Sequence, residues 1–440
     1  SSRCGPILRH DGTDGRSLSM LKKIPVEELR LGMHLHAMCG AWLDHPFWRT
    51  KFILRDTADL EKLRASSVTE VWIDVVKGCD VEPAAAGVAP RRDAAARSSR
   101  SERPAPSEPA PPAAEPKPSA SMAAEMQRAS ALVNQSREAV SSLFAEARMG
   151  RALDTEKCLP LVDEIASSVW RNPGAIVSLA RLKTHDDYTY MHSMAVCALM
   201  VSLGRQLGMD ENSAREIGLA GMLHDMGKAM MPLEVLNKPA KLTDDEYTIM
   251  KTHPQHGYEL LLEGKGVSEV ALDVRLHHHE RPDGKGYPHG LSGDALTRVA
   301  RMGAVCDVYD AITSNRPYKS GWDPAESIAR MASWAGQFDN DIFQAFVKSL
   351  GIYPIGSLVR MRSGRLGVVV EQSEGSLVAP KVKLFFSTKS NMPITIELVD
   401  LSSAGCSDAI VARESNAQWK FPHLDELWAG PEVLRKLGKS

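Results

Sequence analysis

His277-His278-His279-Glu280-Arg281-Pro282-Asp283-Gly284-Lys285-Gly286-Tyr287-Pro288 is the stretch on which the reading of this 440-residue chain turns. Three consecutive imidazoles before a glutamate have no ordinary packing role. They cannot share one helix face, because successive residues stand roughly 100° apart around a helix. At least two of them are expected to reach one metal pair from different angles, with the third turned away. Behind them, the glycines at 284 and 286 let backbone approach a ligand closely; as a bland alternative, the same loop is a surface turn.

Similar residues recur on both sides of that stretch. His224-Asp225-Met226-Gly227-Lys228 follows the apolar run Ile217–Leu223. A buried His-Asp pair is costly unless compensated, by a divalent metal that takes both as ligands or by core hydrogen bonds. On a continuing helix Lys228 shares the face of His224 and Asp225, aimed at an anionic substrate. His192, in Tyr188-Thr189-Tyr190-Met191-His192-Ser193, reads by itself as a core or cap histidine. His253 precedes Pro254, a first-turn residue, and by itself reads as a capping or surface group; His256 reads as surface. Asp307 follows the apolar Ala304-Val305-Cys306, with Asp310 a turn later; each is a ligand or a salt-bridge partner. Arg316 and Lys319 flank Pro317-Tyr318. Arginine grips phosphate in a bidentate way and lysine acts as a point charge, although isolated basic residues usually form a solvated face. Imidazoles and carboxylates spread over separate helices are what a polynuclear metal site in a helical bundle requires.

The rest of the chain sets the frame. A hydrophobic fraction of 43%, a charged fraction of 25% and a net charge of -2 are those of an ordinary globular protein. They argue against a nucleic-acid polymer as partner. The seven cysteines are scattered and form no CxxC pair, which points to reduced thiols in a cytosol. No apolar run reaches the ~18 residues of a membrane helix, and no secretory signal is visible. Residues 1–19 read as a vector remnant or an upstream extension. Residues 20–83 read as a small α+β domain, with strands near 22–29, 52–54 and 71–75 and a helix near 59–63. This domain carries no ligand-type cluster and reads as a sensory, docking or dimerising module. A Pro/Ala/Ser-rich linker, 84–120, is too poor in apolar residues to offset its conformational entropy. Helical periodicity then runs from 121 to 355, with a compact all-α body over roughly 150–350. Residues 356–415 form a small β-rich module, and 416–440 a tail of unreadable conformation.

Taken jointly, the order and spacing of these fragments resemble the HD-GYP domain, a branch of the HD superfamily of metal-dependent phosphohydrolases. The resemblance covers about 165–350 and rests on Tyr188-Thr189-x-x-His192-Ser193, His224-Asp225-x-Gly227-Lys228, His253-Pro254-x-x-Gly257, His278-His279-Glu280-Arg281-x-Asp283-Gly284-x-Gly286-Tyr287-Pro288 and Asp307-x-x-Asp310-Ala311. Residues 22–80 resemble, more softly, the small domain that often precedes HD-GYP. The resemblance implies a bacterial cyclic di-GMP phosphodiesterase that releases pGpG, GMP or both. It implies His192, His224, Asp225, His253, His278, His279 and Asp307 as ligands of two divalent ions, with Asp225 bridging. Iron or manganese suits this mixed donor set. A bridging water would supply the attacking hydroxide. Lys228 would meet the scissile phosphate, Gly286 and Tyr287 would shape the pocket, and Arg316 and Lys319 would hold phosphates with Asp310 in support.

Members with three metals carry a glutamate four residues before the first histidine; here that position is Tyr188, so no third ion is expected. His277 is extra to the family's pair and is expected not to be a ligand. Two other readings compete with the enzyme: a catalytically weak cyclic di-GMP receptor signalling through the 20–83 domain, and a phosphohydrolase of another nucleotide. A homodimer and a protein partner at the 20–83 domain are left open.

Overall fold

The computed structural model describes residues 21–38, 52–64, 69–79, 120–151, 153–182, 188–314, 321–373 and 375–438. Arg316 and Lys319, residues 1–19 and nearly all of the expected linker lie outside them. The chain divides into two compact units, Ser1–Ala113 and Ala114–Ser440.

In the first unit, β1 (Leu21–Pro25), β2 (His34–Met38), β3 (Phe52–Ile53) and β4 (Glu70–Asp74) form one antiparallel sheet of order β1-β4-β2-β3. Helix α1 (Thr57–Arg64) connects β3 to β4. Ile24, Leu35, Val71 and Ile73 are buried with Leu63 of α1, as period-two alternation demands of a one-sided sheet. Strand β2 was not expected. His34-Leu35-His36-Ala37-Met38 holds an alanine, a poor strand former, and its pairing with β4 inside the sheet overrides that local preference.

The second unit is a helical bundle with a β-module at its C-terminal side. Its first helix, α2 (Met122–Arg148), is capped by Ser121, which accepts from Ala124 N at 3.4 Å. Met126, Ala129, Val133, Val140 and Leu143 form its buried stripe. Asn172 ends α3 (Leu159–Arg171) and caps α4 (Pro173–Leu179), accepting from Gly174 N at 3.2 Å. Helix α5 (Tyr188–Gln206) is buried almost all round and packs on α6 (Glu211–Leu223). Their approach is close: a Cβ on Gly218 would lie 2.7 Å from Val201. Short α7 (Leu233–Leu236) and α8 (Asp244–Met250) lead to α9 (His253–Leu262), α10 (Glu269–His277), α11 (Arg298–Thr313), α12 (Pro324–Ser333) and α13 (Asn340–Leu350).

Strands β5 (Leu358–Met361), β6 (Arg365–Ser373), β7 (Ser376–Ser387), β8 (Met392–Asp400) and β9 (Ile410–Arg413) follow as an antiparallel sheet of order β8-β7-β6-β5-β9. Val368 and Val370 of β6 join the helical core, so this module is fused to the bundle. Asp323 marks the seam. It caps α12 through Ala325 N and Glu326 N, and also accepts from Leu358 N of β5 at 3.3 Å. The tail is folded too, as α14 (Asn416–Trp419), α15 (Leu424–Ala429) and α16 (Pro431–Lys436). Trp428, Val433, Leu434 and Leu437 enter the main core, and Asn134 Nδ2 donates to Lys436 O at 2.7 Å. The architecture is therefore a small α+β N-terminal unit, a central all-α bundle and a β-rich C-terminal module. Among the described residues no helix is long and apolar enough to cross a membrane.

Candidate metal centre

Five elements deliver the candidate ligands. His192 lies in α5, His224 and Asp225 just past the end of α6, His253 at the start of α9, His278 and His279 just past α10, and Asp307 in α11. Their donor atoms form two groups that share Asp225: His192, His224, Asp225 and Asp307; and Asp225, His253, His278 and His279. Within each group the donors lie within 4.8 Å of one another. Asp225 Oδ2 stands 3.1 Å from His192 Nε2 and 3.4 Å from His224 Nε2. Its Oδ1 stands 3.3 Å from His253 Nε2 and 3.7 Å from His278 Nε2. Ligands of one ion at roughly 2.1 Å are separated by roughly 3–4 Å, so one carboxylate faces two ion-sized positions.

The tautomers support the same fit. His224 Nδ1 donates to Gly221 O at 2.7 Å, His253 Nδ1 to Met250 O at 2.7 Å, and His278 Nδ1 to Arg275 O at 2.8 Å. A carbonyl only accepts, so each Nδ1 carries the proton and each Nε2 turns a lone pair inward. His192 Nδ1 meets Asp310 Oδ2 at 2.6 Å. Nε2 atoms then face each other at 3.2 Å between His192 and His224, and at 3.5 Å between His253 and His278. Lone pairs at such distances repel unless a proton or a metal cation lies between them. Among the described residues no hydrogen-bond donor reaches the buried Asp225 Oδ1. Orienting one ring nitrogen so that the other can coordinate is the usual arrangement of metal-bound histidine.

Charge balance points the same way. Burial pushes His253, His278 and His279 below the ordinary imidazole range, which leaves them neutral, as ligands must be. Against the same burial, Asp225, Asp307 and Asp310 push His192 up to about 10. Burial also opposes ionisation of Asp225 and Asp307. Lys228 and the imidazoles nonetheless hold Asp225, and His192 and His224 hold Asp307, well below the usual carboxylate range. Two buried carboxylates therefore draw positive charge into this cluster.

Several expectations need correction in detail. The helix carrying His224 and Asp225 does not continue: α6 ends at Leu223, and Met226–Met230 is a 3-10 turn. Lys228 still meets Asp225, with Nζ 2.5 Å from Oδ2 and a quarter of its side chain exposed. Asp310, expected to support substrate binding, is fully buried behind His192 and cannot touch a nucleotide. Gly286 approaches its own chain: a Cβ there would lie 2.4 Å from Glu280 Cα and 2.6 Å from His279 O. Tyr287 does border the cluster, its ring 4.7 Å from that of His279. His277 turns to Asp273 at 2.8 Å, and His256 is exposed beside Glu259.

Two residues escaped the sequence reading. Glu280 is buried and accepts from His289 N at 2.6 Å and Leu291 N at 3.1 Å, bracing the loop after Tyr287. Its place inside the His-His-Glu stretch was the available signal. Arg275 is fully buried beside the turn of Asp225, and nothing in the local pattern marks it.

Residues 173–342 match the HD domain family, and residues 21–158 match a family described only as a domain of unknown function, DUF3391. A cyclic di-GMP phosphodiesterase of Pseudomonas aeruginosa is 53% identical over 412 residues, which is 93% of this chain and 96% of that protein. The cyclic di-GMP phosphodiesterase response regulator RpfG of Xanthomonas campestris is 41% identical over 179 residues, 39% of this chain and 47% of its own length. Among solved structures, an HDG"Y"P protein from Bdellovibrio bacteriovorus covers 74% of this chain and 98% of its own at 14% identity, with a TM-score of 0.42. The likeness to the Pseudomonas protein over nearly the whole of both chains, together with the HD match across the His-Asp cluster, settles the family: the chain belongs to the HD-GYP metal-dependent phosphodiesterases.

Proposed function

We propose that this protein hydrolyses cyclic di-GMP to pGpG, GMP or both at a two-ion centre. The observation that carries the reading is Asp225, whose two oxygens face two separate sets of inward-turned imidazoles. The substrate comes from the relatives, which are named as cyclic di-GMP phosphodiesterases. In this reading His192, His224, Asp225 and Asp307 hold one ion, and Asp225, His253, His278 and His279 the other. Nitrogen and oxygen donors without thiolate suit iron or manganese. Tyr188 occupies the position where three-metal members carry glutamate, which keeps the proposal at two ions.

Bound there, two divalent ions supply Lewis acidity and lower the pKa of water at the reacting phosphate. The chain's own groups orient and balance charge. Asp310 and the carbonyls of Gly221, Met250 and Arg275 hold the imidazoles in register. Lys228, partly exposed beside Asp225, meets the negative charge that grows on the scissile phosphate. Tyr287 offers an aromatic face beside His279 for a guanine. Arg316 and Lys319 are proposed to hold the remaining phosphate. Hydrolysis exchanges one P–O ester bond for a P–O bond to water, and the released sugar oxygen takes a proton.

The test is turnover. The full chain is loaded with iron or manganese under reducing conditions, given cyclic di-GMP, and its products are separated. Formation of pGpG or GMP, lost together with bound metal in His224→Ala/Asp225→Ala, is expected. Nucleotide binding without product would make the protein a receptor instead.

A further inference from the structure

Arg275 has the bulkiest fully buried side chain among the described residues. It sits on α10, three residues before His278. Its Nη1 donates to His224 O at 3.1 Å and also to Leu223 O. These carbonyls lie at the C-terminal end of α6, where helical partners run out and a cation suits the dipole. Nε and Nη2 meet no acceptor among the described residues. The guanidinium instead presses on backbone. A Cβ on Gly257 would stand 1.2 Å from Nη2, and one on Gly227 2.6 Å from it. Three ligand-bearing segments thus close around one cation: the turn of His224 and Asp225, the first turns of α9 with His253, and the end of α10 with His278.

A guanidinium without a carboxylate partner is costly to bury, and an apolar side chain of similar volume would often be more stable. Packing alone does not account for it. Asp225 is the acidic group whose charge favours it.

We propose that Arg275 is a positioning residue for the metal centre: its planar fork sets the separation of the two ligand groups around Asp225, and glycine is required at 227 and 257 to make room for it. The proposal rests on reading the cluster as a metal pair. The same plane that reaches two α6 carbonyls on one side bears on Gly227 and Gly257 on the other, so a shorter or non-planar group would let the segments drift. Lysine would restore the charge and one donor without the fork.

The test uses metal binding rather than turnover. Metal-free full-length protein is titrated with Mn(II) against a competing chelator, and the unfolding midpoint of each metal-free variant is recorded. Arg275→Met is expected to weaken Mn(II) binding by roughly ten- to a hundredfold, the usual effect of losing a group that orients metal ligands. Arg275→Lys is expected to recover part of that loss. Gly257→Ala, whose Cβ displaces the guanidinium, is expected to weaken binding in the parent chain but to add little in Arg275→Met. Wild-type affinity in Arg275→Met, no recovery in Arg275→Lys, or additive losses in the double variant would overturn the proposal. Should Arg275→Met not fold, wild-type affinity in Gly257→Ala overturns it by itself. A parent chain that binds no Mn(II), iron or other divalent ion would sink the metal-centre reading instead.

Discussion

Glu280→Gln tests how far the loop beyond Tyr287 depends on one buried carboxylate. In the parent, Glu280 accepts two backbone N–H groups, from His289 and Leu291. The amide keeps the shape but offers one acceptor, so one part-buried backbone N–H loses its partner at a cost of about 1–3 kcal/mol. The other bond falls from charge-assisted to neutral strength, a further ~1 kcal/mol. A total near 3 kcal/mol, carried by the loop, lowers its ordered population on the order of a hundredfold. Because Tyr287 borders the cluster through the same loop, the loss should appear as a KM for cyclic di-GMP raised at least tenfold, with a smaller change in kcat. Steady-state kinetics on manganese-loaded protein and a urea midpoint for each protein measure this. A KM within twofold of the parent and an unchanged midpoint would refute the reasoning, since the brace would then carry no load.

Asp310→Asn removes the carboxylate behind His192 Nδ1, and a ten- to hundredfold loss of metal affinity is expected, read by chelator competition. Metal removal should lower thermal stability in a concentration-dependent way: an ion at about a hundred times its Kd contributes about 2.7 kcal/mol, so chelation must lower the melting temperature measurably. Asp323 gives a pH test. Burial raises its carboxyl to about 6, above an unfolded value near 3.9. Between those values the folded state holds the extra proton, so this group's contribution to stability falls as pH rises from about 4 to 6 and is flat beyond. Asparagine keeps the helix cap without the titration. The stability of Asp323→Asn relative to the parent should therefore improve by about 2–3 kcal/mol from pH 4 to pH 7, measured by urea titration at each pH; a constant difference would contradict it.

Legibility from the sequence followed the physical range of each cue. Helices with an apolar face, such as α2 and α3, declare themselves through spacing. Strand β2 does not, because its pairing is non-local. The candidate ligands were legible as residue types in order, but their directions were not. The carbonyls at the end of α6 are taken by Arg275, some fifty residues downstream, which no local pattern marks. Likewise Asp310 looks like any acidic residue one turn after Asp307 until its distance to His192 is seen. Gly227, Gly257 and Gly286 are recognisable as motif letters, yet the reason for each is a neighbour distant in sequence or a backbone crossing.

The joining of α2 to α16 has a consequence for biosynthesis. Lys436 Nζ donates to Gln127 Oε1 at 2.6 Å, and Leu434 and Leu437 sit in the same core as Met126 and Val133. More than three hundred residues separate these partners, so α2 leaves the ribosome long before its final neighbours exist. Closing so large a loop adds only a slowly growing entropic cost, but it postpones this step of folding until α16 has been made. During translation the apolar stripe of α2 must wait partly uncovered, which makes this seam, rather than the metal cluster, the place where a nascent chain is most open to chaperones or to misassembly.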